Sequence, residues 1–238
     1  MNITRNTVRL LGAAFLLQAI ASAGWTVLQL QLIVPEDITA SMTNIANNPL
    51  QMRASIVLTM ITVMAIVMLG SLLFVTLRKV NGPIALVALG LYLIEVAVLA
   101  VSRIPAYALL RVSQESVATG HPAYLQTLGN LLYESADFGD WFHMLPFAVG
   151  ATLFYYLFFK SGYIPRPLAF VGLIVAPLAL IGTLLGLLGF DVPIAVLIPN
   201  LPFELSMGLW LLIKGINEAA QADRAYGGLD MTPKEQPI

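Results

Sequence analysis

Two glutamates stand inside long apolar runs, and their chemistry most needs explaining. Glu95 lies within the run from Pro83 to Ser102, and Glu204 within the run from Pro193 to Ile213. An ionised carboxylate in hydrocarbon costs several kcal/mol unless it is paired, protonated or hydrated. Such a group can bind a proton or ligand in a cavity, act as a general acid or base, or fix helix packing as a protonated or arginine-paired carboxyl. Helical spacing places Ala88, Tyr92, Leu99 and Ser102 on the face of Glu95, and Asn200 and Gly208 on that of Glu204. These faces are small or polar, as bundle interiors are. At 1.5 Å per residue, Glu95 lies ~12 Å and Glu204 ~16 Å from the same end of their spans. The comparable depth predicts that the two share one polar cavity with Asn200 and Tyr92. Arg53 and Arg103, at the outer ends of neighbouring spans, are the candidate charge partners.

A second constellation lies upstream of the run from Trp141 to Phe159. Glu134, Asp137 and Asp140 recur every three residues, and His143 follows on a face with Phe147 and Gly150. Carboxylate oxygen and imidazole both ligate zinc, iron or manganese, so Asp137, Asp140 and His143 are the metal candidates. A three-residue period drifts around a helix, and Gly139 can break it, so no metal and no cofactor are expected. The alternatives are a proton relay and, more plainly, an acidic, solvated turn beside a hydrogen-bonded histidine; His143 is also a candidate for the binding cavity. No nucleophile elbow, phosphate loop or paired-histidine motif accompanies these residues. In the last run Pro199 and Pro202 flank Asn200 and remove amide donors, which predicts either a packing kink or a broken helix lining a site. Gly182-x-x-x-Gly186 is a close-packing face, within the chain or between copies. Gln18, Ser22 and Gln29 read as interior hydrogen-bonding groups.

The elements that position these groups follow from composition. Of 238 residues 58% are apolar and 11% charged, with a mean hydropathy of +0.84. A soluble domain carries roughly 25% charged residues, so a soluble enzyme is excluded. The formal net charge is -1 and the basic residues are scattered, so there is no nucleic-acid footprint. There is no cysteine, hence no disulfide or thiolate metal site. Crossing ~30 Å of hydrocarbon takes about 20 helical residues, and six runs qualify: 10–34, 54–77, 83–102, 141–159, 167–190 and 193–213. They are continuous rather than alternating, so helices are expected and not a barrel. The expectation is an all-α polytopic bundle over 1–215, with a cytoplasmic tail over 216–238. Ala21-Ser22-Ala23 has the form of a signal-peptidase site, but the run continues to Val34, too long for a cleaved signal.

Arg5, Arg9, Arg78, Lys79, Lys160, Arg166 and Lys214 fall on one side of this topology, against Arg53, Arg103 and Arg111 on the other. The positive-inside bias therefore predicts that both termini are cytoplasmic. Trp141 is then assigned to the outer interface, and Tyr155 and Tyr156 to the inner one. The long outer segment 104–140 has amphipathic stretches after Pro105 and Pro122, read as short helices that lie in the interface or cap the bundle, as a lid over loop backbone or as a substrate gate.

Three stretches carry a resemblance: Leu77-Arg78-Lys79-Val80-Asn81, then Phe159-Lys160-Ser161-Gly162-Tyr163-Ile164-Pro165, and the run Pro202-Phe203-Glu204-Leu205-Ser206-Met207-Gly208-Leu209-Trp210-Leu211-Leu212-Ile213-Lys214-Gly215. Together they resemble the bacterial membrane proteins called domain of unknown function 4386. The resemblance implies a polytopic inner-membrane protein and carries no catalytic residue across. Three function classes remain: a carrier or receptor for a small molecule, lipid or ion with an outward-facing polar cavity; an accessory or scaffold subunit; and a membrane enzyme acting on lipids. The partners expected are the lipid bilayer and a second copy or another membrane protein.

Overall fold

In the computed structural model the described residues are 4–193, 196 and 198–217. They form eight helices: α1 (Arg5–Leu30), α2 (Ile38–Asn47), α3 (Pro49–Leu77), α4 (Gly82–Ala118), α5 (Ala123–Phe142), α6 (Met144–Ser161), α7 (Arg166–Leu187) and α8 (Asn200–Ile213). No strand occurs among the described residues. Local chemistry sets the boundaries. Thr4 caps α1 by accepting from the Thr7 N–H at 3.2 Å. Asp37 caps α2 from the Ala40 N–H at 2.8 Å, and Asn81 caps α4 from the Ile84 N–H at 3.1 Å. Pro49 opens α3, where an amide has no carbonyl to reach within the helix. Gly162 ends α6 at φ 69°, a left-handed conformation that costs glycine little.

Five helical paths are long and apolar enough to cross a membrane: Arg5–Leu30, Pro49–Leu77, Gly82–Ala118, Ala123–Ser161 and Arg166–Leu187; α8 is a shorter apolar helix. Large apolar side chains such as Ile20, Met64, Leu86, Val101 and Ile174 remain exposed around the bundle. Apolar surface on this scale marks contact with lipid or another partner. The chain is a multi-pass membrane protein, an all-helical bundle. Helix α1 packs on α3 and α8, α4 on α3 and α6, and α7 on α6 and α8. The core includes Leu11, Phe15, Leu73, Tyr92, Phe154, Tyr155, Phe158 and Met207.

The segment 104–140 differs from its expectation. Helix α4 runs without a break through Pro105 for 37 residues, ~56 Å at 1.5 Å per residue. A proline inside a helix removes one hydrogen bond, and here the turns on both sides continue. Helix α5 folds back along the second half of α4, and α2 closes the group. Leu32, Met42, Ile45, Leu109 and Leu110 form a second, separate core there. The first stretch is thus the continuation of α4 rather than a separate helix, and with α5 it forms an antiparallel pair that caps the bundle.

The last run differs too. Helix α8 begins at Asn200, with Pro199 as its N-cap and Pro202 as its third residue. Both prolines sit where the helix lacks carbonyl partners anyway, so neither breaks α8 internally. Residues 194, 195 and 197 of the expected sixth span lie outside the described residues, as does the tail from 218 onward. The Gly182 and Gly186 face packs within the chain. A Cβ on Gly182 would stand 2.8 Å from Val196 Cγ1, and one on Gly186 2.9 Å from the Trp141 ring.

Candidate membrane-buried carboxyl site

The bundle positions its polar groups from four helices. Glu95 on α4 is 2% exposed and Glu204 on α8 is 3% exposed. Glu204 is close enough that its charge acts on the Glu95 carboxyl. The side chains of Gln18 on α1 and Asn200 on α8 hydrogen-bond the Glu204 carboxyl. Gln18 Oε1 and Asn200 Oδ1 have no partner of their own, so the amide N–H groups are the donors. Tyr92 and Tyr155 complete the cluster, both within electrostatic range of both carboxyls.

Aromatic packing holds this arrangement. Tyr92 meets Phe154 edge-on at 5.2 Å between ring centroids, and Tyr155 meets Phe203 edge-on at 4.9 Å. Edge-to-face pairs at this spacing suit the ring quadrupoles. Two glycines make room for the tyrosines. A Cβ on Gly150 would stand 2.8 Å from Tyr92 Cδ1, and one on Gly172 2.8 Å from Tyr155 Cγ. Tyr155 is therefore a fully buried core residue, not an interface aromatic, whereas Tyr156 is 40% exposed.

The expected cations are elsewhere. Arg53 is exposed near the start of α3. Arg103 is 3% exposed and forms its ion pair with Asp140 of α5. It also donates to Ser102 Oγ at 2.9 Å and lies over the Trp25 ring, 5.3 Å from its centroid. Its partner is thus an aspartate of the cap rather than either membrane glutamate. Among the described residues no lysine or arginine forms an ion pair with Glu95 or Glu204. His143 sits at the joint of α5 and α6, buried, with Nδ1 unpartnered. It lies within electrostatic range of Arg103.

The cluster holds Glu95, Glu204, Asn200 and Tyr92 together with Gln18 and Tyr155. Gln18 was legible as a polar residue inside a span, but no spacing rule links α1 to α8. The acidic stripe divides: Asp140 is held by Arg103, while Asp137 faces cavities on the cap side. Among the described residues no three His, Cys, Asp or Glu side chains are grouped to hold a metal ion. Among the described residues the buried cluster offers two carboxyls, two amides and two phenols, and no lysine or arginine is paired with either carboxyl.

No curated protein and no solved structure matches the chain. The family model described as Domain of unknown function (DUF4386) matches residues 10–215, nearly the whole bundle with its cap, and the chain belongs to that family.

Proposed function

We propose that the chain is a binding and transport-related protein of the bacterial inner membrane, with Glu95 and Glu204 as its working groups. One observation carries this reading: two buried carboxyls near one another, dressed by amides and phenols, with no arginine or lysine paired to either among the described residues. Two bare negative charges in such a setting are untenable, since desolvation costs several kcal/mol per ion even after relaxation. The pair therefore holds positive charge in the form of a proton or a small cation, and Gln18, Asn200, Tyr92 and Tyr155 shape its seat. A packing device needs only one hydrogen-bonded polar group, and a second carboxyl adds cost without a packing gain.

A hydrophobic carbodiimide tests the reading, because it modifies protonated carboxyls in apolar surroundings. In the purified full chain, mass spectrometry should find the adduct on Glu95 or Glu204. Glu95→Gln and Glu204→Gln should fold, because the amide keeps shape and hydrogen bonding, and each should remove its own adduct. Absence of label on both carboxyls in folded protein would overturn the reading in favour of an accessory or scaffold subunit.

The orientation belongs to the same proposal: both termini cytoplasmic, the cap outside. What supports it is the excess of Lys and Arg around the loops opposite the cap. The chain has no cysteine, so single cysteines report cleanly. Cysteines at Asn47 and Thr119, both exposed on the cap, should react with an impermeant maleimide in intact cells. One at Lys79 should react only after lysis. The reverse pattern would invert the topology.

A further inference from the structure

The acidic stripe of α5 has no part in the buried carboxyl pair, yet it lines two adjoining cavities. The first, of about 140 Å³, lies where the cap meets the bundle. Asp137, Asp140 and Tyr133 line it on one side, and apolar groups such as Leu30, Ile33 and Leu109 on the other. The second is a wider groove between α5 and the end of α7, lined by Tyr133, Glu134, Asp137, Phe138 and Trp141. Tyr133 and Asp137 line both cavities and form their common wall.

Charge decides what such a site takes. Among the described residues no lysine or arginine lines either cavity. Asp140 is neutralised by Arg103. Glu134 accepts from the Asn130 amide at 2.7 Å, which leaves its charge in place. Asp137 has no ion-pair partner among the described residues. Arg111, the next basic residue of α4, is exposed and lies two residues from Leu109, on the far side of the helix at about 100° per residue. The pair of cavities therefore carries uncompensated negative charge beside three aromatic rings. Carboxylates favour any cation, whereas aromatic faces favour a large, weakly hydrated one. A metal ion is disfavoured by geometry, since among the described residues no three ligating side chains are grouped.

We propose that Tyr133, Asp137 and Trp141 form a cap-side binding site for a small organic ammonium ion with an apolar body. Asp137 supplies the charge, Tyr133 and Trp141 the aromatic faces, and the apolar wall of the inner cavity receives the alkyl part. The i, i+4 spacing of Tyr133 with Asp137, and of Asp137 with Trp141, brings ring and carboxylate to neighbouring positions on one helix. The site is independent of Glu95 and Glu204, so its failure would leave the buried pair untouched.

The test is calorimetric titration of the purified full chain in nanodiscs with choline, against 3,3-dimethylbutan-1-ol, its neutral isostere. Choline should bind saturably, and the neutral isostere at least tenfold more weakly. Asp137→Asn should weaken choline at least tenfold, with an elution profile like wild type because Asp137 is exposed. Tyr133→Leu should weaken it several-fold, and Glu204→Gln should leave it unchanged. Equal binding of choline and its neutral isostere would overturn the proposal, as would unchanged affinity in Asp137→Asn. So would absence of saturable binding to folded protein.

Discussion

Asp140→Ala is expected to destabilise the protein by about 3–5 kcal/mol, the cost of leaving one partner of a buried ion pair uncompensated. Arg103 is 3% exposed, and its remaining polar contact is Ser102 Oγ, which itself donates to the Leu99 carbonyl at 2.8 Å. The Trp25 face adds a cation–π contact worth about 0.5–2 kcal/mol, too little to replace the carboxylate. Arg103→Met should cost less, because Asp140 keeps 18% of its side chain exposed and can be hydrated. The double variant Arg103→Met with Asp140→Leu should recover stability to within about 1–2 kcal/mol of wild type, since apolar replacement of a buried pair is often neutral or stabilising. Thermal unfolding of the detergent-purified variants, followed by elution profile, gives the order directly. Wild-type stability in Asp140→Ala would show that the counter-charge of Arg103 lies elsewhere.

That ion pair marks the boundary of what the sequence makes legible. Glu95 and Glu204 stand out in the sequence because depth and face are both local properties. Burial cost picks out the residue, helical period gives its face, and the run's end gives its height. Arg103 also stood at the right height, but the sequence offered it to the wrong partner. Its true partner lies across the turn between α4 and α5, and periodicity along one helix says nothing about which helices become neighbours. Tyr155 was misplaced for a related reason. A tyrosine near a span end fits the aromatic belt, and only the packing of Gly172 and Phe203 against its ring shows that it is core.

Prolines account for the other differences. Pro105 reads as the start of a new helix because proline disfavours helix at the residue before it. A single lost hydrogen bond is nonetheless tolerated when the flanking turns are well packed, and Ala106, Leu109 and Leu110 are buried against the cap. Pro199 and Pro202 read as a mid-span break because the apolar run begins at Pro193, whereas α8 begins at Asn200. The run of hydrophobicity and the run of helix are different quantities, and at this end they diverge.

Gly12→Leu is expected to cost about 3 kcal/mol or more, the upper range for forcing bulk into a well-packed core. A Cβ on Gly12 would stand 2.6 Å from the Leu212 nitrogen and 2.7 Å from the Gly208 carbonyl oxygen. The contact is reciprocal, since a Cβ on Gly208 would stand 2.9 Å from Phe15 Cβ and 3.0 Å from the Gly12 carbonyl oxygen. Both obstacles include backbone, which cannot move aside as a side-chain tip can, so α1 and α8 must separate. Small residues permit this kind of approach between membrane helices, and here it serves the polar site. Gln18 lies six residues beyond Gly12 on α1, and Glu204 four before Gly208 on α8, so opening the crossing loosens the amide from the carboxyl. The control is Gly90→Leu, where an added Cβ meets nothing within 4 Å and the change in stability should stay near 0.5 kcal/mol. Thermal unfolding separates the two variants, and carbodiimide labelling of Glu204 should rise in Gly12→Leu and stay at the wild-type level in Gly90→Leu. Equal behaviour of the two would mean that the α1–α8 crossing is not what seats Gln18 against Glu204.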